Sequence, residues 1–201
     1  MLKVFRLSII VGLTALLLGS CASRLQSDVV TFHEGRLPKG ETIHIESINA
    51  FEEESLEFSH YKNLISAELR RIGYVPVKDD QAAELVAQIG YSVSDGQTQI
   101  RSSQRNYVRY HFYHGHYHNP FYYGFYNDWP PESYSYIVYN RQLHINISRK
   151  SPEPELLFEG RVQSIGREKE IASVMPYMIT AMFNNFPGEN GVTKVVTIEK
   201  K

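Results

Sequence analysis

The first twenty residues constrain this chain most, because they determine which part of it folds. Lys3 and Arg6 form a short cationic lead, and an almost unbroken apolar run extends from Leu7 to Leu18. The run is too short to cross a bilayer as a mature helix, and its order of charged, apolar and small residues is typical of a secretory signal peptide. We therefore predict that residues 1–20 are a signal peptide that is removed on export.

The end of this segment has the arrangement of a lipobox, with Gly19 and Ser20 directly before Cys21. The segment resembles the signal of bacterial lipoproteins. The resemblance implies that Cys21 is acylated and becomes the first mature residue, and several acyl chains would hold it firmly in a bilayer. Because Ala22 follows the cysteine, the resemblance also implies a lipid anchor in the cell outer membrane, with the protein facing the periplasm.

Composition narrows the classes of partner and of chemistry. Without Lys3 and Arg6, the predicted mature chain has 19 basic and 22 acidic side chains, so it lacks the basic surface that nucleic-acid binding requires. Cys21 is the only cysteine. If acylation consumes its thiol, the mature protein has no disulfide, no thiol nucleophile and no cysteine metal site, and the domain must be stabilised by its core.

The hydrophobic pattern after the signal predicts strands and two amphipathic helices. We expect a lipidated tether at residues 21–28 and a single domain over 29–201. Strand patterns are predicted at 29–32, 42–48, 74–77, 85–93, 136–148, 156–165 and 192–198, with a weaker one at 100–113. The first helix follows Glu52–Glu54 and ends at Gly73; the second begins near Ser173 as its cap and ends before Pro187.

Mostly antiparallel strands with two amphipathic helices predict an α+β fold, in which both helices pack on one face of a twisted sheet. Five segments are distinctive in their order and spacing: Ser27-Asp28 leading into Phe32, the helix end at 67–74, the strand at 83–89, a strand-end glycine at Gly160, and the helix end at 182–187. Together they resemble the bacterial lipoprotein family known as domain of unknown function 4136. The resemblance implies an α+β lipoprotein domain with no established enzymatic activity.

The most unusual stretch is an aromatic and histidine-rich insertion at about 107–135. Ten of the fourteen tyrosines lie between Tyr107 and Tyr139, together with Trp129 and four of the eight histidines. Along an extended strand, alternate residues such as His114, His116 and His118 share one face and lie about 6.7 Å apart. Two of these imidazoles could reach one metal ion, with His111 or Asp128 as a further ligand, and such ligands suit Zn²⁺ or Cu²⁺.

A contact surface is the alternative interpretation of the same insertion. Tyrosine and tryptophan offer rigid apolar area with a polar tip, and large exposed aromatic patches mark interaction sites. The candidate contact residues are Phe121, Tyr122, Tyr123, Phe125, Tyr126 and Trp129. The sequence contains no nucleophile elbow, no zinc-protease helix and no phosphate loop. We therefore expect a non-enzymatic module that contacts an envelope protein or polysaccharide, with metal binding as the alternative and an enzyme as a distant third.

Overall fold

The computed structural model describes residues 23–35, 37, 39–102, 133–150 and 152–200. Eight strands and three helices make up this part of the chain. In chain order they are β1 (Arg24–His33), β2 (Thr42–Ser47), α1 (Ala50–Glu53), α2 (Leu56–Ile72), β3 (Val75–Val77), β4 (Leu85–Val93), β5 (Gln97–Ser102), β6 (Ser133–Arg149), β7 (Glu155–Gly166), α3 (Met175–Phe183) and β8 (Lys194–Glu199).

The strands form one sheet in the order β3-β2-β4-β6-β7-β1-β8, and β5 pairs with β6 off this path. All pairs are antiparallel except those that β2 makes with β3 and with β4, which are parallel. Parallel neighbouring strands require a crossover connection, and α2 forms part of the crossover between β2 and β3. The prediction of an α+β fold with a mostly antiparallel sheet is confirmed.

One face of the sheet packs against α2 and α3. Apolar side chains at every second strand position, among them Ile43, Leu85 and Ile145, are fully buried and meet Phe58 and Met178 from the helices. Alternation in the strands and the three-to-four-residue period in the helices direct these side chains to the same layer. The opposite face of the sheet has no helix over it in the described part of the chain.

The start of the first predicted helix is divided in two. Asn49 caps α1, and Ser55 caps α2 through an N–H···O bond of 2.9 Å from Phe58 to its hydroxyl. Each cap supplies an acceptor for N–H groups that would otherwise be unpaired at a helix start. Two such caps six residues apart therefore begin two separate helices instead of one. The helix end is as predicted: Gly73 adopts a left-handed φ of 105° as the cap.

Two predicted starts are wrong. β1 begins at Arg24, not at Val29, so most of the segment expected to be a tether is a strand, in which Leu25 and Ser27 alternate with exposed residues and are buried. The last helix is not capped by Ser173, because the Ser173 hydroxyl bonds instead to the Glu168 carboxylate at 3.0 Å and to the Glu170 carbonyl at 2.9 Å. Val174 occupies the cap position without a side-chain hydrogen bond.

The strand directions define two ends of the sheet. Because β1 and β6 each pair antiparallel with β7, they run in the same direction, and both begin at one end of the sheet. We call this the proximal end. The strands β2, β4, β7 and β8 finish there, and α1 follows β2 at the same end. We call the opposite end distal.

None of the described helices is both long enough and apolar enough to cross a membrane.

Candidate interaction surface

The site residues predicted from the sequence lie outside the described residues. They occupy residues 1–22 and 103–132, and they are Cys21, His111, His114, His116, His118, Phe121, Tyr122, Tyr123, Phe125, Tyr126 and Trp129. Lipidation, metal binding and partner contact at these positions therefore stay predictions. The structure does describe the strands that lead into the insertion and out of it.

These two strands form a ribbon that extends past the sheet at its proximal end. We define the ribbon as β5 together with residues 133–138 of β6, which pair from Gln97 opposite Val138 to Ser102 opposite Ser133. The neighbouring strands pair with β6 only from Tyr139 onward. The chain therefore leaves the ribbon at Ser102 and returns at Ser133, directly opposite, so that residues 103–132, which hold most of the insertion predicted at about 107–135, begin and end at one point.

The ribbon exposes large apolar side chains on both of its faces. Ile100 is 73% exposed, Ile137 is 51% exposed and Tyr134 is 52% exposed. By the register, the two isoleucines share one face and Tyr134 lies on the other. A two-stranded ribbon has no core of its own, so apolar residues on both faces are available to a partner.

The tyrosine face of the ribbon is organised by a cation. The Arg167 guanidinium carbon lies 4.6 Å from the centre of the Tyr136 ring, and the Tyr136 hydroxyl donates to Gln99 Oε1 at 3.0 Å. The Tyr134 ring centre is 6.2 Å from that of Tyr136. A guanidinium over a ring face is attracted by the ring quadrupole, so Arg167 fixes Tyr136 and leaves Tyr134 open.

An irregularity joins the ribbon to the sheet. Between the pairs Val93–Arg141 and Gln97–Val138, one strand advances four residues while the other advances three. The extra residue is accommodated around Ser94, whose N–H donates to the Asn140 carbonyl at 2.8 Å and whose hydroxyl accepts from the Asn140 N–H at 3.0 Å. Such bulges bend a strand and increase its twist, and this one lies where the ribbon leaves the sheet.

Arg141 anchors the base of the ribbon from inside the protein. It is 2% exposed, and its guanidinium donates to the Ser164 carbonyl at 3.4 Å, the Ser164 hydroxyl at 3.2 Å and the Glu168 carbonyl at 3.2 Å. Burial lowers the pKa of Arg141 from its ordinary value. The side chain therefore ties β6 to β7 and to the segment after it, at the level where the ribbon leaves the sheet.

The distal end carries an apolar cleft with a volume of about 630 Å³. Its described lining is mostly apolar, with two cations at its wall: Gly35, Leu37, Lys39, Arg71, Ile72, Tyr74, Phe186 and Pro187. Arg71 is already engaged, since it donates to the Glu68 carboxylate at 2.7 Å and to the Phe183 carbonyl at 2.9 Å. Burial, with a smaller contribution from Glu41, raises the pKa of Tyr74 to about 12, so its phenol stays neutral.

Three potential metal ligands meet on the open face of the sheet. Donor atoms of His44, Glu46 and Asp80 all lie within 4.8 Å of one another. The Lys150 ammonium already lies 2.7 Å from Asp80 Oδ1, and this hydrogen bond lowers the pKa of Asp80. Glu46 in turn accepts from Gln88 at 2.9 Å. The cluster is an ion-pair and hydrogen-bond network in which lysine supplies the cation.

Sequence reasoning placed the start of the first ribbon strand at residue 100 instead of Gln97, did not predict that the ribbon extends past the sheet, and missed Arg141. The stretch from Ile100 is weakly patterned because apolar residues on both faces of an exposed ribbon do not alternate with polar ones. A signal for the ribbon was available in the Asp95-Gly96 pair, which is typical of a turn and is followed directly by β5. Arg141 gave no signal, because a buried arginine has the same sequence pattern as an exposed one.

The fold is similar to that of a larger protein of known structure. A PDZ-domain protein from Parabacteroides distasonis aligns over 92% of this chain with 11% identity and a TM-score of 0.50, and this chain spans 41% of its length. A PelC dodecamer from Paraburkholderia phytofirmans aligns over 76% of this chain and 91% of its own, with 10% identity and a TM-score of 0.35. No curated protein matches the sequence. The model of a domain of unknown function, DUF4136, matches residues 36–188, and the chain therefore belongs to the DUF4136 family.

Proposed function

We propose that this protein is a non-enzymatic interaction module of the bacterial envelope, held in the outer membrane by lipid on Cys21 and facing the periplasm. Its contact surface is the ribbon together with the insertion that the ribbon carries, including the candidate contact residues from Phe121 to Trp129. The specific partner is an envelope protein or polysaccharide. The lipid bilayer is the partner of the anchor.

One observation carries this proposal: the ribbon holds both ends of the insertion at one point outside the sheet. Ser102 lies opposite Ser133, and Ile100 and Tyr134 beside them are more than half exposed. Contact residues in proteins commonly lie on loops that a rigid scaffold positions. Arg141 and the bulge at Ser94 fix the base of this scaffold, so the insertion is presented without disturbing the core.

The raised pKa values of Tyr61 and Tyr91 support a structural rather than a catalytic role for these two side chains. Burial and the hydrogen bond to Glu57 raise the pKa of Tyr61, which packs edge-on against Tyr91 between helix and sheet. Burial likewise raises the pKa of Tyr91 to about 12. Catalysis requires an oriented nucleophile and base facing a substrate, whereas these neutral phenols complete the packing.

Replacement of residues 103–132 by Asn-Gly tests the proposal. Because Ser102 and Ser133 are paired, this dipeptide closes the ribbon as a two-residue hairpin. We expect the variant to keep its thermal midpoint within a few degrees, since the core is untouched. We expect it to lose the adducts that the native protein forms in chemically crosslinked envelope fractions.

The control is a variant that keeps the insertion but replaces Phe121, Tyr122, Tyr123, Phe125, Tyr126 and Trp129 with serine. It should lose the same adducts if the aromatic residues make the contact. An unchanged set of adducts in the hairpin variant would contradict the proposal, because the partner would then bind elsewhere on the domain.

Metal binding by the insertion is the second candidate function, and the alternate spacing of His114, His116 and His118 favours it. Titration of the protein with Zn²⁺ or Cu²⁺, beside a variant with these three residues changed to alanine, separates the two functions. Stoichiometric uptake that is lost in the variant would establish a metal site, to which His111 would be the further candidate ligand. Equal, weak binding by both proteins would exclude it.

A further inference from the structure

We propose that the isoleucine face of the ribbon, which carries Ile100 and Ile137, contacts the lipid headgroups of the same membrane that holds Cys21, as a second membrane contact beside the acyl anchor, while the Tyr134 face and the insertion serve the partner. The inference rests on the proposed lipid anchor at Cys21. It adds that the ribbon is directed toward the membrane. It is carried by the strand register, by the length of chain between Cys21 and β1, and by the exposed apolar side chains of the proximal end.

The register places the ribbon beyond the first residue of β1. Asp28 and Gln142 are both paired with Gln163 and so lie at the same level in the sheet. Arg24 precedes Asp28 by four residues, whereas Ser133 precedes Gln142 by nine in the same direction. The end of the ribbon therefore extends five residues further than the start of β1, about 17 Å at roughly 3.3 Å per residue.

The chain before β1 is too short to lift the domain clear of the bilayer. Three peptide units separate Cys21 from Arg24 and span at most about 10 Å. The lateral distance is also small, because only β7 lies between β1 and β6, about 10 Å across the sheet. An upright domain would therefore place the end of the ribbon below the level of its own anchor. Whether the domain inserts the ribbon or tilts to lay it flat, the ribbon meets the membrane surface.

Exposed apolar side chains concentrate at this end. The three most exposed large apolar residues of the described chain are Phe51 at 96%, Leu56 at 90% and Ile100 at 73%. Phe51 and Leu56 lie on α1 and at the start of α2, which follow the proximal end of β2. Glu52, Glu53 and Glu54 follow Phe51 in sequence, so the contact with lipid depends on apolar and aromatic groups rather than on attraction to anionic headgroups.

The ribbon has the chemistry of the interfacial layer. Its twelve residues contain one charged side chain, Arg101, beside tyrosines and isoleucines. The Ile100 and Ile137 side chains face the acyl boundary, and the tyrosine and arginine tips of the other face stay in water. The depth is limited, because each strand of the ribbon has an edge whose backbone groups need water or headgroups as partners. We therefore infer contact at headgroup level, with no span of the bilayer.

Depth-dependent quenching tests the inference on the full, acylated protein reconstituted in vesicles of phosphatidylethanolamine and phosphatidylglycerol. An environment-sensitive fluorophore is attached in Ser135→Cys on the ribbon, or in Glu153→Cys in the distal turn between β6 and β7. We expect lipids brominated near the headgroup to quench the label at position 135 and to leave the label at 153 unquenched. High salt should not change this result.

A second comparison identifies the side chains. Ile100→Ser combined with Ile137→Ser should reduce quenching at position 135 by about half or more. Leu156→Ser is the matched control, since Leu156 is 50% exposed but lies at the distal end of β7, and it should have no effect. Undiminished quenching in the double variant would overturn the role of these isoleucines.

The outcomes separate the inference from the proposed function. Protein that fails to float with vesicles contradicts the acyl anchor itself. Protein that floats but shows no quenching at position 135 overturns the ribbon contact and leaves the anchor intact. Shielding of position 135 in native envelopes but not in protein-free vesicles would assign the isoleucine face to a protein partner as well, which also overturns the inference.

Discussion

Arg141→Ala is expected to lower the free energy of unfolding by about 3 kcal/mol, with a thermal midpoint several degrees lower. Two effects add. The change leaves the Ser164 carbonyl, the Ser164 hydroxyl and the Glu168 carbonyl without their shared donor, and it opens a cavity where a 2% exposed side chain had been. Urea unfolding followed by circular dichroism measures the change.

Arg141→Met separates these two effects, because methionine fills much of the same volume but donates no hydrogen bond. We expect it to cost less than alanine and still more than 1 kcal/mol, the approximate lower bound for buried acceptors left unpaired. A methionine variant as stable as the native protein would show that Arg141 contributes volume alone. The claim that it anchors the base of the ribbon would then be wrong.

Gly160→Ala is expected to destabilise the domain by about 2 kcal/mol. Gly160 lies within β7 between its partners Ile145 and Thr31, and not at a strand end as predicted from the sequence. A Cβ atom there would lie 2.6 Å from Met182 Sδ and 2.8 Å from Phe158 Cε1. These groups are fully packed between sheet and helix, so α3 must move to make room.

The matched control is Gly90→Ala, in β4 of the same sheet. A Cβ atom there would meet Ile48 Cδ1 at 2.9 Å, but Ile48 is 55% exposed and can turn into solvent. We expect a change near zero for Gly90→Ala. A double-mutant cycle with Met182→Ala isolates the clash. Gly160→Ala should cost less stability in the Met182→Ala variant than in the native protein. Equal costs at the two glycines would contradict the close approach of α3 to β7.

The elements with a clear period were predictable from the sequence. Phe58, Ile65 and Leu69 repeat at helical spacing before Gly73, and α2 ends at Ile72, as the pattern predicted. The alternation of Leu85, Ala87 and Ile89 likewise predicted β4 correctly. These patterns succeed because burial of one helix stripe or one sheet face dominates the local energetics.

Elements set by single hydrogen bonds were not predictable. Ser173 has the residue type of a helix cap, but the Glu168 carboxylate competes for its hydroxyl, and that carboxylate is held in turn by Lys200 at 3.0 Å. The ribbon strands gave only a weak pattern for a different reason: they project past the sheet, so no buried face imposes alternation on Ile100 or Tyr134. The strand register that places it beyond Arg24 depends on pairings distant in sequence, which local patterns do not encode.

The most direct test of the ribbon as a contact surface is photo-crosslinking in intact cells. A benzophenone-bearing phenylalanine replaces Tyr134 on the ribbon or, as the matched control, Phe32 near the distal end of β1, and the two side chains are 52% and 48% exposed. We expect adducts with an envelope component from position 134 and none from position 32. Adducts from position 32 with none from position 134 would show that the protein meets its partner at the distal end and that the ribbon is not the contact surface.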